Sequence, residues 1–199
     1  ILLGTFFQQM YNTVDTIIVG RFVSTRALAA VGTTGPLVNM ISGFFTGLSS
    51  GATVILAQFY GANDPKGVDR TLHTGFSLSL ILGLLVTAVG CGLGPTILTW
   101  MQTPEECLEM AGTYLRIYFA GSLASMVYNM EAGILRAMGD SRTPVYSLAA
   151  ACIVNIIMDI VLVVYGRMGV AGAALATVLS QVISAGMLLV VLLRQRDFP

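Results

Sequence analysis

Charge is scarce in this chain of 199 residues: ten Lys or Arg and ten Asp or Glu make up 10% of it and balance to a formal net charge of zero. A soluble domain carries about 25% charged residues, so a water-soluble fold of this length is excluded. No basic patch or stripe stands out, which excludes nucleic acid as a partner. Histidine occurs once, tryptophan once and cysteine three times. A single imidazole, His73, leaves no HExxH pair and no Ser-His-Asp order, and no phosphate loop is found. The chain therefore reads as no enzyme, without a cofactor beyond an ion. Cys91, Cys107 and Cys152 form an odd set without metal-ligand spacing and read as small apolar side chains.

Apolar residues fill the space that charge leaves. They make up 55% of the sequence, and the mean hydropathy is +0.82. The apolar stretches reach the roughly 20 residues a membrane span needs and are far longer than the roughly 10-residue strands of membrane barrels. The expected fold is an all-α integral membrane protein, a multi-pass bundle of six spans in the cell membrane with the lipid bilayer as its solvent. Breaks in the pattern place the spans at about Ile1–Val19, Leu28–Tyr60, Thr71–Leu98, Glu105–Met138, Val145–Tyr165 and Val170–Leu193. Pro36 should kink the second. Thr103 should cap the fourth, with Pro104 at its first helical position. The chain opens on the apolar Ile1, which reads as no signal peptide and as a first helix lacking its start. Lys66, Arg70, Arg136, Arg142, Arg194 and Arg196 fall in one set of loops and ends, against Arg21, Arg26 and Arg167 in the other. The first set is expected to be cytoplasmic. Gly43, Gly47 and Gly51 recur every fourth residue, a face along which helices could approach closely.

Two carboxylates interrupt these spans. Asp15 lies in the first and Asp159 in the fifth, and each costs roughly 2.5–3.5 kcal/mol at the centre of a membrane helix. Helical spacing extends each into a polar face: Gln8, Tyr11 and Asn12 accompany Asp15, and Asn155 precedes Asp159 by one turn. On the sixth span Thr177, Gln181 and Ser184 repeat the pattern. Two carboxylates, an amide and a hydroxyl on three helices suit a proton or a hard cation such as sodium, whereas softer metals call for Cys or His. Glu131, near Arg136, reads first as a structural ion pair, and Arg116 as a residue that snorkels or pairs with an acid.

Several ordered segments resemble one family. YNTVDTIIVG with ALAAVG, then QFYGAND, RAMGDSRTP, NIIMD and GVAGAALATVLSQ are similar to the multidrug and toxic compound extrusion (MATE) transporters, closest to their DinF-like branch, along the whole chain. The resemblance implies a twelve-helix antiporter with two six-helix lobes around a central cavity. This chain would be the amino-terminal lobe (1–199), its first helix truncated and its carboxy-terminal lobe, a partner, absent. It implies export of small-molecule drugs or organic cations in exchange for sodium or protons. On the family's pattern Asp15, Asn155, Asp159 and Thr177 would bind the cation or proton. Tyr11, Asn12, Tyr114 and Gln181 would support that network or line the substrate path. Ile160 stands where the family often has a proline after the Asp, which puts a helix break there in question. Two alternatives are a lipid-linked oligosaccharide flippase of the same superfamily, which would need cationic residues in its cavity, and a non-transporting membrane scaffold.

Overall fold

The computed structural model describes residues 2–194, with the side chains of residues 2–5, 8 and 11 outside the described set. The described elements are all helical: α1 (Leu2–Phe22), α2 (Thr25–Gly61), α3 (Pro65–Trp100), α4 (Glu105–Ala120), α5 (Ser122–Ala137), α6 (Arg142–Asp159), a π-helical segment (Ile160–Tyr165) and α7 (Gly169–Arg194). Helices α2, α3, α7 and α6 with its π segment are each long and apolar enough to cross a membrane.

The ends of these helices follow from local chemistry. Ser24 caps α2 by accepting from the Ala27 N–H, and Asp64 caps α3 by accepting from Lys66 and Gly67. Helix α6 starts beside Asp140, whose Oδ1 accepts from the N–H groups of Arg142 and Thr143, both at 3.0 Å. At α4 the expectation fails: Pro104 holds the cap position in extended backbone, and the Thr103 hydroxyl caps nothing. Helix α2 continues through Pro36 as one element from Thr25 to Gly61. Proline removes one N–H, and the carbonyl one turn earlier loses a single partner, too little to end a helix of this length.

The expected fourth span forms as α4 and α5 in series, interrupted at Gly121. Helical bonds continue across the break, from the Gly121 N–H to Ile117 O and from Ser125 N–H to Gly121 O. The loosening lies where α7 presses in, since a Cβ on Gly121 would sit 2.4 Å from Val178 Cγ2.

Two larger cores and a smaller apolar cluster share the described bundle. One joins α2, α3, α4 and α5 around Phe45, Leu56, Leu98, Leu115, Met126 and Met130. The other joins α1, α4, α7 and the π segment around Ile18, Val19, Tyr118, Val163 and Ala173. Helix α1 packs mainly on α6, and α6 on α7. The glycines that permit close approach differ from those expected. Gly43, Gly47 and Gly51 are exposed and would meet nothing within 4 Å, whereas a Cβ on Gly83 would lie 2.7 Å from Leu123 and one on Gly90 2.0 Å from the Phe119 ring. Glycine spacing reports that a face is smooth; which neighbour uses it depends on the packing of the whole bundle.

Candidate functional site

Helix α1 brings Asp15 into the bundle because Ile18 and Val19, one turn on, belong to the second core. Asn155 and Asp159 share a face of α6, and Thr177 lies on α7. All four side chains are buried, Asn155 and Asp159 completely. The Thr177 hydroxyl donates to Asp15 Oδ2 at 3.0 Å and also lies 3.1 Å from the carbonyl of Ala173. Asp15 interacts with Asp159 and Asn155 as well. Among the described residues these contacts fall short of hydrogen-bond geometry: Asp15 Oδ1, both Asp159 oxygens and both polar atoms of Asn155 have no described partner. The structure thus brings together the four residues that the sequence singled out. Two adjacent buried carboxylates, when both ionised, repel unless a positive charge joins them. Among the described residues no cluster of three or more His, Cys, Asp or Glu exists, so carboxylates helped by neutral oxygens form the donor set. That set fits a proton or a monovalent hard cation.

A π turn adjoins the pair. Asp159 is the last residue of α6, and Ile160–Tyr165 continue with wider turns, including a bond from the Gly166 N–H to Val161 O at 2.8 Å. The helix is altered beside Asp159 without a proline. The glycine-bearing start of α7 packs onto this turn, where a Cβ on Gly172 would lie 3.2 Å from Leu162 O. Such π turns collect at functional positions.

Asp15 also lines a pocket of about 300 Å³ between α1 and α2, with Asn12, Thr16, Gly35, Asn39 and Tyr114 among its walls. Asn12 is exposed and Tyr114 buried. Tyr114 stacks on Tyr118 with ring centroids 6.4 Å apart. Tyr118 was not foreseen, although it lies one turn from Tyr114. Its hydroxyl is 3.3 Å from that of Ser42 and also meets Gln181. Gln181 therefore joins the tyrosine pair, one layer from the carboxylates. The side chains of Tyr11 and Gln8 lie outside the described residues.

Other expectations are redistributed. Ser184 pairs with the Ser147 hydroxyl at 2.7 Å, away from Asp15. Glu131 has no ion pair with Arg136: it is fully buried, with both oxygens unpartnered among the described residues, whereas Arg136 is exposed. A five-residue offset turns the two toward different faces of α5, and packing decided which face is buried. Arg116 is exposed, and the described ion pairs are Arg26–Glu106 at 3.3 Å and His73–Asp69 at 3.3 Å. Cys107 and Cys152 are buried and Cys91 is half-buried.

Known proteins resemble this chain in sequence and fold. The probable multidrug resistance protein YpnP of Bacillus subtilis is 34% identical over 181 residues, covering 91% of this chain and 41% of that protein. The DNA damage-inducible protein F of Escherichia coli is 31% identical over 172 residues, covering 86% and 38%. A MATE transporter solved in its bent conformation superposes with a TM-score of 0.92 at 31% identity, covering 98% of this chain and 44% of that one. A MOP superfamily transporter from Pyrococcus furiosus superposes at 0.91, covering 98% and 43%. The chain thus spans about two fifths of the length of these relatives, as one lobe of a larger transporter would. With the MatE family pattern matched over residues 1–161 and this helical bundle beneath it, the chain belongs to the MatE family of multi-pass membrane transporters and is not an enzyme.

Proposed function

We propose that this chain is the amino-terminal lobe of a cation-coupled antiporter that exports cationic or amphipathic drugs. Sodium or a proton exchanges at Asp15, Asn155, Asp159 and Thr177. The observation that carries the reading is the buried carboxylate pair, with oxygens on α1 and α6 that have no partner among the described residues, and a pocket at Asp15. A bound cation relieves the repulsion and holds α1 against α6; its loss frees α1 to move. Binding shifts the transporter between states only through unequal affinity for them. Relatives named for multidrug resistance, and structural neighbours solved facing inward and outward, support export by alternating access. The pocket walls hold a carboxylate and no Lys or Arg, which supports an exporter of cations over a flippase of pyrophosphate-linked lipids.

The test is drug efflux from vesicles holding the full-length protein, under separately imposed sodium and proton gradients. Asp15→Asn and Asp159→Asn keep the size of the side chains and remove the charge. Both should abolish coupled efflux at unchanged levels of inserted protein; near-normal coupled efflux in both variants would falsify the proposal.

A further inference from the structure

Glu131 is a second buried carboxylate centre that the Asp15 cluster does not use. It sits six residues before the end of α5, and the α5–α6 turn at that end carries Asp140 and Arg142. Counted from this shared end at 1.5 Å per residue, Glu131 lies about 9 Å deep and Asp159 about 25 Å deep. The two centres occupy different halves of the lobe.

On α5, Tyr128 and Leu135 flank Glu131 on one helix face, and both belong to an apolar cluster completed by Leu188 of α7. Around it, the Tyr128 hydroxyl donates to Pro144 O of α6 at 3.2 Å and meets Ser184 of α7, which pairs with Ser147 of α6. Tyr128 is the titratable group beside it. Arg136, on the same helix, reaches Tyr128 electrostatically but is exposed. Among the described residues Glu131 forms no ion pair, and the His73–Asp69 pair of α3 is exposed. An ionised carboxylate buried without partners costs far more than taking up a proton, so this packing requires the neutral acid.

We propose that Glu131 is a proton-binding site in the basic end of the lobe, distinct from the Asp15–Asp159 pair. The seam between α5 and α7 closes over the neutral acid. When the seam opens to water, the O–H bond breaks, the proton passes to water and the carboxylate stays behind hydrated. By linkage, protons favour the closed seam and their loss favours the open one.

The experiment uses the full-length transporter in lipid nanodiscs, with Asp15→Asn and Asp159→Asn present and the native cysteines replaced. A null role for the pair in transport therefore leaves this result untouched. Infrared spectra should show a protonated-carboxyl stretch that Glu131→Gln removes. A water-soluble maleimide should label Ser184→Cys at a rate that rises with pH by up to about tenfold per unit, the limit for one proton, after normalisation to a Ser141→Cys reference at an exposed position. With Glu131→Gln the normalised rate should be flat. Should the Gln variant fail to insert, Glu131→Met, which fills a similar volume without charge, must give the same flat profile. An unchanged carboxyl band, or pH profiles that coincide with and without Glu131, overturns the proposal.

Discussion

Gly90→Ala should destabilise the bundle through one contact. The new Cβ would meet three carbons of the Phe119 ring at 2.0, 2.1 and 2.5 Å, where ordinary contacts begin at 3.4 Å. The ring would have to retreat by about 1.4 Å or more, yet it is only 4% exposed and belongs to the core shared by α2, α3, α4 and α5. Overpacking of this kind costs about 1–3 kcal/mol, and the better helix propensity of alanine returns up to about 1 kcal/mol. The net loss is up to about 3 kcal/mol and about 1.5 kcal/mol at mid-range, and the mid-range value corresponds to about 3–6 °C in Tm for a domain of this size. Phe119 shares α4 with Tyr114 on the pocket wall, so efflux should fall along with stability. The assay is thermal unfolding of the full-length protein in one fixed detergent, run as a cycle with Phe119→Leu. Leucine leaves room for the methyl group, so the Gly90→Ala penalty should shrink by at least half in that background. An equal penalty in both backgrounds, or a Tm for Gly90→Ala at or above that of the parent, refutes the packing argument.

Three further outcomes are expected. Thr177→Val removes the hydrogen bond to Asp15 but keeps side-chain shape, so coupled efflux should weaken by an amount worth about 1 kcal/mol and survive where Asp159→Asn abolishes it. Equal loss in the two would assign Thr177 a larger role than one shared hydroxyl proton can supply. Asp140→Ala should cost about 1 kcal/mol in a thermal melt by uncapping α6. The Thr143 hydroxyl and then the Thr143 N–H hold the Asp140 carboxyl below its ordinary value of 3.8. Its stabilisation is therefore complete above that value and fades as pH falls through the lowered one, so the parent's advantage over the variant should be full in melts well above about pH 4 and should vanish as the pH falls through the lowered value. Finally, a cysteine at Glu106 should react with an impermeant reagent from outside and one at Asp64 should not; the reverse pattern would invert the lobe.

Solvent class, the helical fold and the carboxylate pair were legible in the sequence because they rest on local rules. A span needs a run of apolar residues, a breaker ends it, and a charge in such a run is costly wherever the run finally packs. Helical spacing alone put Asn155 with Asp159, and Tyr114 with the missed Tyr118, on common faces. What the sequence could not carry was which face meets which helix. Gly43, Gly47 and Gly51 advertised a smooth surface, yet the bundle places Gly83, Gly90 and Gly121 at its close approaches. Glu131 and Arg136, five residues apart, suggested a pair, and the fold buried one and exposed the other. The π turn after Asp159 forms without a proline, where α7 packs against it. Each of these outcomes depends on contacts between residues distant in the chain, and a side chain's burial is a property of the neighbours that arrive, which no local pattern encodes.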